Sequence, residues 1–140
     1  MFHSRSLATH LAILHKRYLD AILDGRKTIE SRLSRTRRAP FGCVRAGDVV
    51  YFKESGGPVR ALARVARVRS IAGLTPTRIE SLRRAHGGAI GAEAGYWRSK
   101  RASRYATLLW LRDTAALGED ARAIPVPRSM GHAWFVKDEP

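Results

Sequence analysis

The sequence predicts an α+β fold: a small, partly open β-barrel of about six strands with two or three flanking helices. Three observations carry this. Short runs rich in Val, Ile, Tyr and Phe recur at irregular spacing, as in small barrels rather than regular βαβ repeats. Helical periodicity is confined to a few brief segments. The apolar fraction of 44% over 140 residues suits one core, and neither an internal repeat nor a linker divides the chain, so residues 1–140 are expected to form a single domain.

Residues 7–14 read as the first strand, with apolar and polar positions mixed. Tyr18, Leu19, Ile22 and Leu23 lie at helical spacing across 16–23, and Asp24-Gly25 is a natural stop. Thr28, Ile29 and the alternation around them predict a strand over 27–33. The loop SRTRRAPFG follows, with Pro40 and Gly42 as breakers. DVVYFK (48–53) is the third strand, opened by Ala46-Gly47-Asp48 and closed by Ser55-Gly56-Gly57-Pro58.

PVRALARVARVRS continues as a long strand. Val59, Ala61, Ala63 and Val65 share one parity; after Ala66, Arg67 and Arg69 take that parity over. Such a phase slip predicts a β-bulge. Residues 75–86 read as a helix capped by Thr75 or Thr77, with Pro76 in its first turn and Ile79 and Leu82 facing inward. GGAIGAEAG reads as a mobile link to Tyr96-Trp97 and the basic run RSKRASR. Within 104–112, YATLLWL is apolar on both parities, as a central strand requires. Residues 133–136 close the domain after a turn containing Pro125 and Pro127.

Lys and Arg number 26 against 12 acids, a net charge of +14 to which arginine contributes most. Such a chain repels itself unless a polyanion is nearby, which makes RNA or another nucleic acid the expected partner. The single cysteine, Cys43, excludes an internal disulfide framework and suggests a reducing compartment. The opening residues are too broken by His10 for a secretory signal. With no apolar run of about 18 residues, no membrane partner is expected and a cytoplasmic protein is. The scattered histidines, His132 beside Ser129 included, have no convincing metal-ligand spacing, so neither metal nor cofactor is expected.

The stretch GRKTIESR (25–32) gathers Arg26, Lys27, Glu30 and Arg32. In a strand, Thr28, Glu30 and Arg32 share a face, and Glu30 can pair with Arg32. A lysine at position 27 crowded by Arg26, Arg32 and Arg35 favours its neutral amine, a base or nucleophile. Spacing alone favours the plainer reading of a solvated ion pair. The runs RLSRTRR (Arg32, Arg35, Arg37, Arg38) and RSKRASR (Arg98, Lys100, Arg101) lie near Phe41, Tyr96 and Trp97. Cations beside stacking faces suit single-stranded RNA.

GRKTIESR fits the pattern G-x-K-x-x-E-x-R, and HLAIL, KRYLDAILDG and GDVVYFKESGG surround it in the order found in the ASCH family, which it resembles over roughly residues 8–137. ASCH, for activating-signal-cointegrator homology, lies within the PUA-like superfamily. The resemblance implies a PUA-like β-barrel whose motif-lined cleft binds RNA or a nucleobase. One branch looks like a ribonuclease using a lysine, a tyrosine and a serine. Here Lys53, Ser129 and either Tyr51 or Tyr18 are the candidates, with Lys53 or Lys27 as base and Arg32 or Arg128 holding phosphate. Another branch deacylates N4-acetylcytidine through the motif lysine, a threonine and a later glutamate. The lysine maps to Lys27, the threonine position carries Glu30, and the later glutamate has Glu93 as a candidate. A third implied role is a non-catalytic nucleic-acid-binding module.

Overall fold

The computed structural model describes residues 7–118 and 133–138. The strands are β1 (Ala8–Leu14), β2 (Ile29–Ser34), β3 (Val49–Glu54), β4 (Val59–Ala72), β5 (Tyr105–Ala116) and β6 (Trp134–Asp138). The helices are α1 (Lys16–Leu23), α2 (Pro76–Ile90) and α3 (Ala94–Ser99). One six-stranded sheet runs in the order β2-β5-β4-β3-β1-β6, with β1 and β3 parallel and the other neighbours antiparallel.

Alternation on β4 builds the first core. Ala61, Ala63 and Val65 join Val50 and Phe52 of β3, Ala12 and Leu14 of β1, and Leu19 and Ile22 of α1. The β4–β5 register slips between Val65 and Arg67, leaving Ala66 as the extra residue that the change of parity foretold. On β5, Leu109 enters this cluster while Leu108 points to a second one under α2 and α3. A strand covered on both faces is apolar on both parities, and β5 is one.

The second core corrects one expectation. GGAIGAEAG is not a link: Gly87 and Gly88 lie inside α2, which runs to Ile90 and ends at Gly91, in the left-handed conformation with φ 68°. Two helical glycines cost about 1 kcal/mol each. Ile90, buried with Ile79, Leu82, Leu74 and Trp97, continues the apolar stripe and offsets them. Thr75 caps α2, its hydroxyl accepting from the Arg78 N–H at 3.2 Å. Strand β2 also starts later than its composition suggests. The N–H groups of Lys27 and Thr28 are claimed by the carbonyls of Ala21 and Ala89, and pairing with β5 begins at Ile29.

Three side chains bind β1, β3 and β6 together in the dry interior. His10 Nε2 meets Asp48 Oδ2 at 2.8 Å, and the Trp134 indole N–H donates to His10 Nδ1 at 3.1 Å. The indole proton assigns His10 its tautomer: Nδ1 accepts and Nε2 donates. Asp48 also accepts the N–H groups of Ala8 at 3.0 Å and Arg45 at 2.9 Å. Burial pushes the Asp48 carboxyl up, but His10 and these two N–H groups outweigh it and hold the carboxyl below its ordinary value.

The two ends of the sheet, β2 and β6, are not hydrogen-bonded as strands, yet Arg32 connects them. From β2 its guanidinium donates to the carbonyl of Ala133 at 3.3 Å, just before β6, and to that of Ile13 on β1 at 3.0 Å. It also lies 5.2 Å from the Trp134 ring. The sheet therefore curls into a half-barrel whose seam is spanned by a side chain instead of a ladder.

Candidate functional site

The segment GRKTIESR turns from α1 into β2, and its charges separate at that turn. Arg26 stays outside, paired with Asp24 at 2.6 Å. Lys27 turns inward. Only 4% exposed, its ammonium donates to the carbonyls of Ile29 at 2.9 Å and Ile90 at 2.6 Å, and stands 3.4 Å from Glu30 Oε1. Ile90 is the last residue of α2, so Lys27 offsets the negative end of that helix as well as a carboxylate. Acceptors surround this amine; Arg32 shares Glu30 with it, but Arg26 is turned to Asp24 and Arg35 is exposed, which corrects the picture of a lysine crowded by all three arginines.

Glu30 is as buried as Lys27, at 4% exposure. Burial pushes its carboxyl up, but Lys27, Arg32 at 3.4 Å and the Ser31 N–H at 2.9 Å together hold it below its ordinary value. It is a fixed, ionised acceptor. Beside it the Ser31 and Tyr96 hydroxyls meet at 2.8 Å. Burial first, opposed by the Ser31 hydrogen bond, pushes the Tyr96 phenol up to about 12, so it keeps its proton as a donor.

These groups line a cleft of about 510 Å³ along the seam. Its walls are Ile13 and Leu14 of β1, His15, Arg17 and Tyr18 at α1, Glu30 to Leu33 of β2, and Tyr96, Ser99 and Lys100 at α3. Lys100 is half-buried. Burial, then the charges of Arg32 and Arg38, push its ammonium down. Here is the arginine-crowded lysine that the sequence suggested at position 27. At the rim Arg17 pairs with Glu93 at 2.6 Å, which places the candidate later glutamate beside the cleft.

A second cavity of about 320 Å³ adjoins the first and shares Arg32, Leu33, Lys100 and Ala133 with it; Arg38, Phe41, Tyr105 and Trp134 are among its other walls. Arg37 lies over the Phe41 ring at 5.1 Å, and Arg35 is exposed on the same loop. The basic run on α3 is split. Lys100 faces the seam, whereas Arg98 and Arg101 line a separate hollow with Arg83 and Arg84 of α2. Trp97 is 4% exposed within the second core, which corrects the expectation that it offers a stacking face.

Tyr51 and Lys53 do not line the seam cleft. Tyr51 packs with Leu11, Val59, Leu117 and Phe135 on the other face of β3, and the Lys53 ammonium donates to the Glu54 carbonyl at 3.1 Å. The remaining candidates Arg128 and Ser129, with His132, lie outside the described residues. Among the described residues, no cluster of three His, Cys, Asp or Glu side chains is arranged to hold a metal ion, and no helix is long and apolar enough to cross a membrane. Sequence reasoning missed Ser31 and Ser99 as cleft residues. Ser31 stands inside the motif, but its alternation assigned it to the opposite face from Glu30.

Comparison with known proteins agrees with this fold. Three solved structures of ASCH from Zymomonas mobilis share the fold. One has a TM-score of 0.65 at 17% identity, covering 94% of this chain and 87% of that chain. A tyrosine-to-phenylalanine variant of the same protein scores 0.65 at 17% identity, with coverages of 94% and 90%. A serine-to-alanine variant scores 0.67 at 18%, with coverages of 94% and 89%. No curated protein matches in sequence. The ASCH domain profile matches residues 13–111, from the end of β1 into β5 and across the whole motif, and the chain belongs to the ASCH domain family.

Proposed function

We propose that the seam cleft binds a nucleotide of single-stranded RNA. The observation that carries this is Glu30: one ionised carboxylate, buried and immobilised in the wall of a cleft whose other charged side chains are Arg17, Arg32 and Lys100. Cationic walls suit a phosphodiester, and a fixed carboxylate selects the amino or imino edge of a base. Tyr96 adds a hydroxyl that stays protonated at neutral pH. The net charge of +14 supports a polyanionic ligand over a free nucleoside. Fluorescence anisotropy with 5′-labelled single-stranded RNA tests the reading. Glu30→Gln is expected to weaken binding about tenfold, the equivalent of about 1.4 kcal/mol. Equal affinity of Glu30→Gln and wild type would remove the carboxylate from the interface and the proposal with it.

Lys100 favours a second reading, RNA cleavage. A lysine whose ammonium is pushed down is suited to take a proton from a ribose 2′-hydroxyl. The resulting oxygen attacks phosphorus, the bond to the 5′-oxygen breaks, that oxygen takes a proton from water, and the products are a 2′,3′-cyclic phosphate and a 5′-hydroxyl. Arg32 and Arg38 flank Lys100 and offset the charge that develops on phosphate. A denaturing gel of end-labelled RNA, with and without EDTA, decides between lysines. Cleavage lost in Lys100→Met supports this site; cleavage lost in Lys53→Ala returns the chemistry to β3. Deacylation of a modified nucleoside is less well supported, because Lys27 lies beneath Glu30 with its amine committed to three acceptors.

A further inference from the structure

The two cavities along the seam are parts of one groove. They share Arg32, Leu33, Lys100 and Ala133, so the partition between them is mainly two cations. Arg32 is anchored there by the carbonyls of Ile13 and Ala133 and by Glu30. Lys100 and Arg38 have no carboxylate within ion-pair distance among the described residues. Lys100 and Arg38, two cations beside Arg32 that no acid neutralises among the described residues, are arranged for an anion between the cavities.

The chemistry of the cavities differs. The larger, about 510 Å³, carries Glu30, Ser31 and Tyr96, which supply hydrogen-bonding atoms of both kinds. The smaller, about 320 Å³, carries the half-buried rings of Phe41 and Tyr105, set edge to face at 5.1 Å. Each falls within the range of about 300–1,000 Å³ that ligand sites occupy. The chemistry of the first suits the edge of a base, and that of the second suits a flat ring, since every base tolerates stacking.

We infer that the seam is a two-nucleotide groove, in which the Glu30 cavity selects one base, the Phe41–Tyr105 cavity stacks its neighbour, and Lys100 and Arg38 hold the phosphate that joins them. This rests on the RNA-binding reading and adds the ligand's minimum size and polarity of recognition. The ligand is a dinucleotide step of single-stranded RNA. Selectivity is confined to one of its two positions, because stacking discriminates weakly where a fixed carboxylate discriminates strongly.

The test is isothermal titration of the full chain with the sixteen dinucleoside monophosphates and the four 3′-mononucleotides. Wild type is expected to bind its preferred dinucleotide at least tenfold more tightly than any mononucleotide. Preference is expected at one position and near-indifference at the other. Phe41→Leu keeps the bulk but removes the stacking face; it and Phe41→Ala are expected to reduce that advantage to threefold or less while leaving mononucleotide affinity unchanged. Glu30→Gln is expected to weaken both ligands. If wild type binds mononucleotides as tightly as dinucleotides, or both Phe41 variants keep the advantage, the second subsite is wrong and single-nucleotide recognition stands. If no nucleotide binds, both fail.

Discussion

Two buried polar clusters sit in this small half-barrel and do opposite things with their carboxylates. At Asp48 the acid is surrounded by His10, Trp134 acting through His10, and two backbone N–H groups, deep in the sheet. At Glu30 it is held by Lys27 and Arg32, but in the wall of an open cleft. Both carboxyls are held below their ordinary values against burial. Burial and ionisation alone therefore do not identify a functional acid. What separates the two is where they face: one closes a core, the other borders a cleft large enough for a ligand.

The sharpest way to break that contrast is Asp48→Ala. It strands the His10 Nε2 proton and the Ala8 N–H in the interior and removes the acceptor of the part-buried Arg45 N–H, and each buried donor left unpaired costs about 1–3 kcal/mol. Urea denaturation should show that loss, with RNA affinity of the remaining folded protein unchanged. A midpoint that barely moves would mean that water enters the cluster.

Lys27→Met comes next, with an expected cost of about 3 kcal/mol at neutral pH, since it leaves Glu30 with Arg32 as its remaining ion-pair partner. Its signature is in binding. Without Lys27 the Glu30 carboxyl rises, and RNA affinity should fall as pH is lowered from neutral while that of wild type does not follow it. Parallel pH profiles for the two proteins would show that Lys27 does not keep Glu30 ionised.

Acid acts on both clusters at once. A carboxyl whose folded pKa lies below its unfolded one contributes stability above the unfolded value, near pH 4, and loses it as pH falls through the folded value. Thermal midpoints should therefore be level from pH 7 to about 5 and fall below 4. Asp48→Asn should flatten that fall in proportion to the share Asp48 holds; an unchanged slope assigns the acid sensitivity elsewhere.

The last comparison tests how the basic run at the end of α3 divides its charges, and includes the smallest expected effect. Lys100→Glu should weaken RNA binding strongly and reduce the salt slope by about 1 or more. The double variant Arg98→Glu and Arg101→Glu, on the other hollow, should change affinity less than threefold. Equal losses from the two variants would mean that RNA crosses both faces of α3.

Much of this was legible along the chain. The alternation of β4 and its slip at Ala66, the doubly apolar run of β5, the span of α1 and the motif that marks the family are local patterns of period and spacing. The extent of α2 was not, because helix propensity at Gly87 and Gly88 opposes what Ile90 gains by burial beside Ile79 and Trp97. His10 read as an interruption in an apolar stretch; its partners Asp48 and Trp134 stand 38 and 124 residues away.

The sequence by itself determined the period of each strand, the excess of arginine and the residues of the motif, since these depend on neighbours in the chain. Tertiary structure decided which charges meet. It turned Lys27 toward the end of α2, set Lys100 among the arginines and drew β2 to β6 through Arg32, because a curled sheet brings its two ends together over distances that no local spacing records.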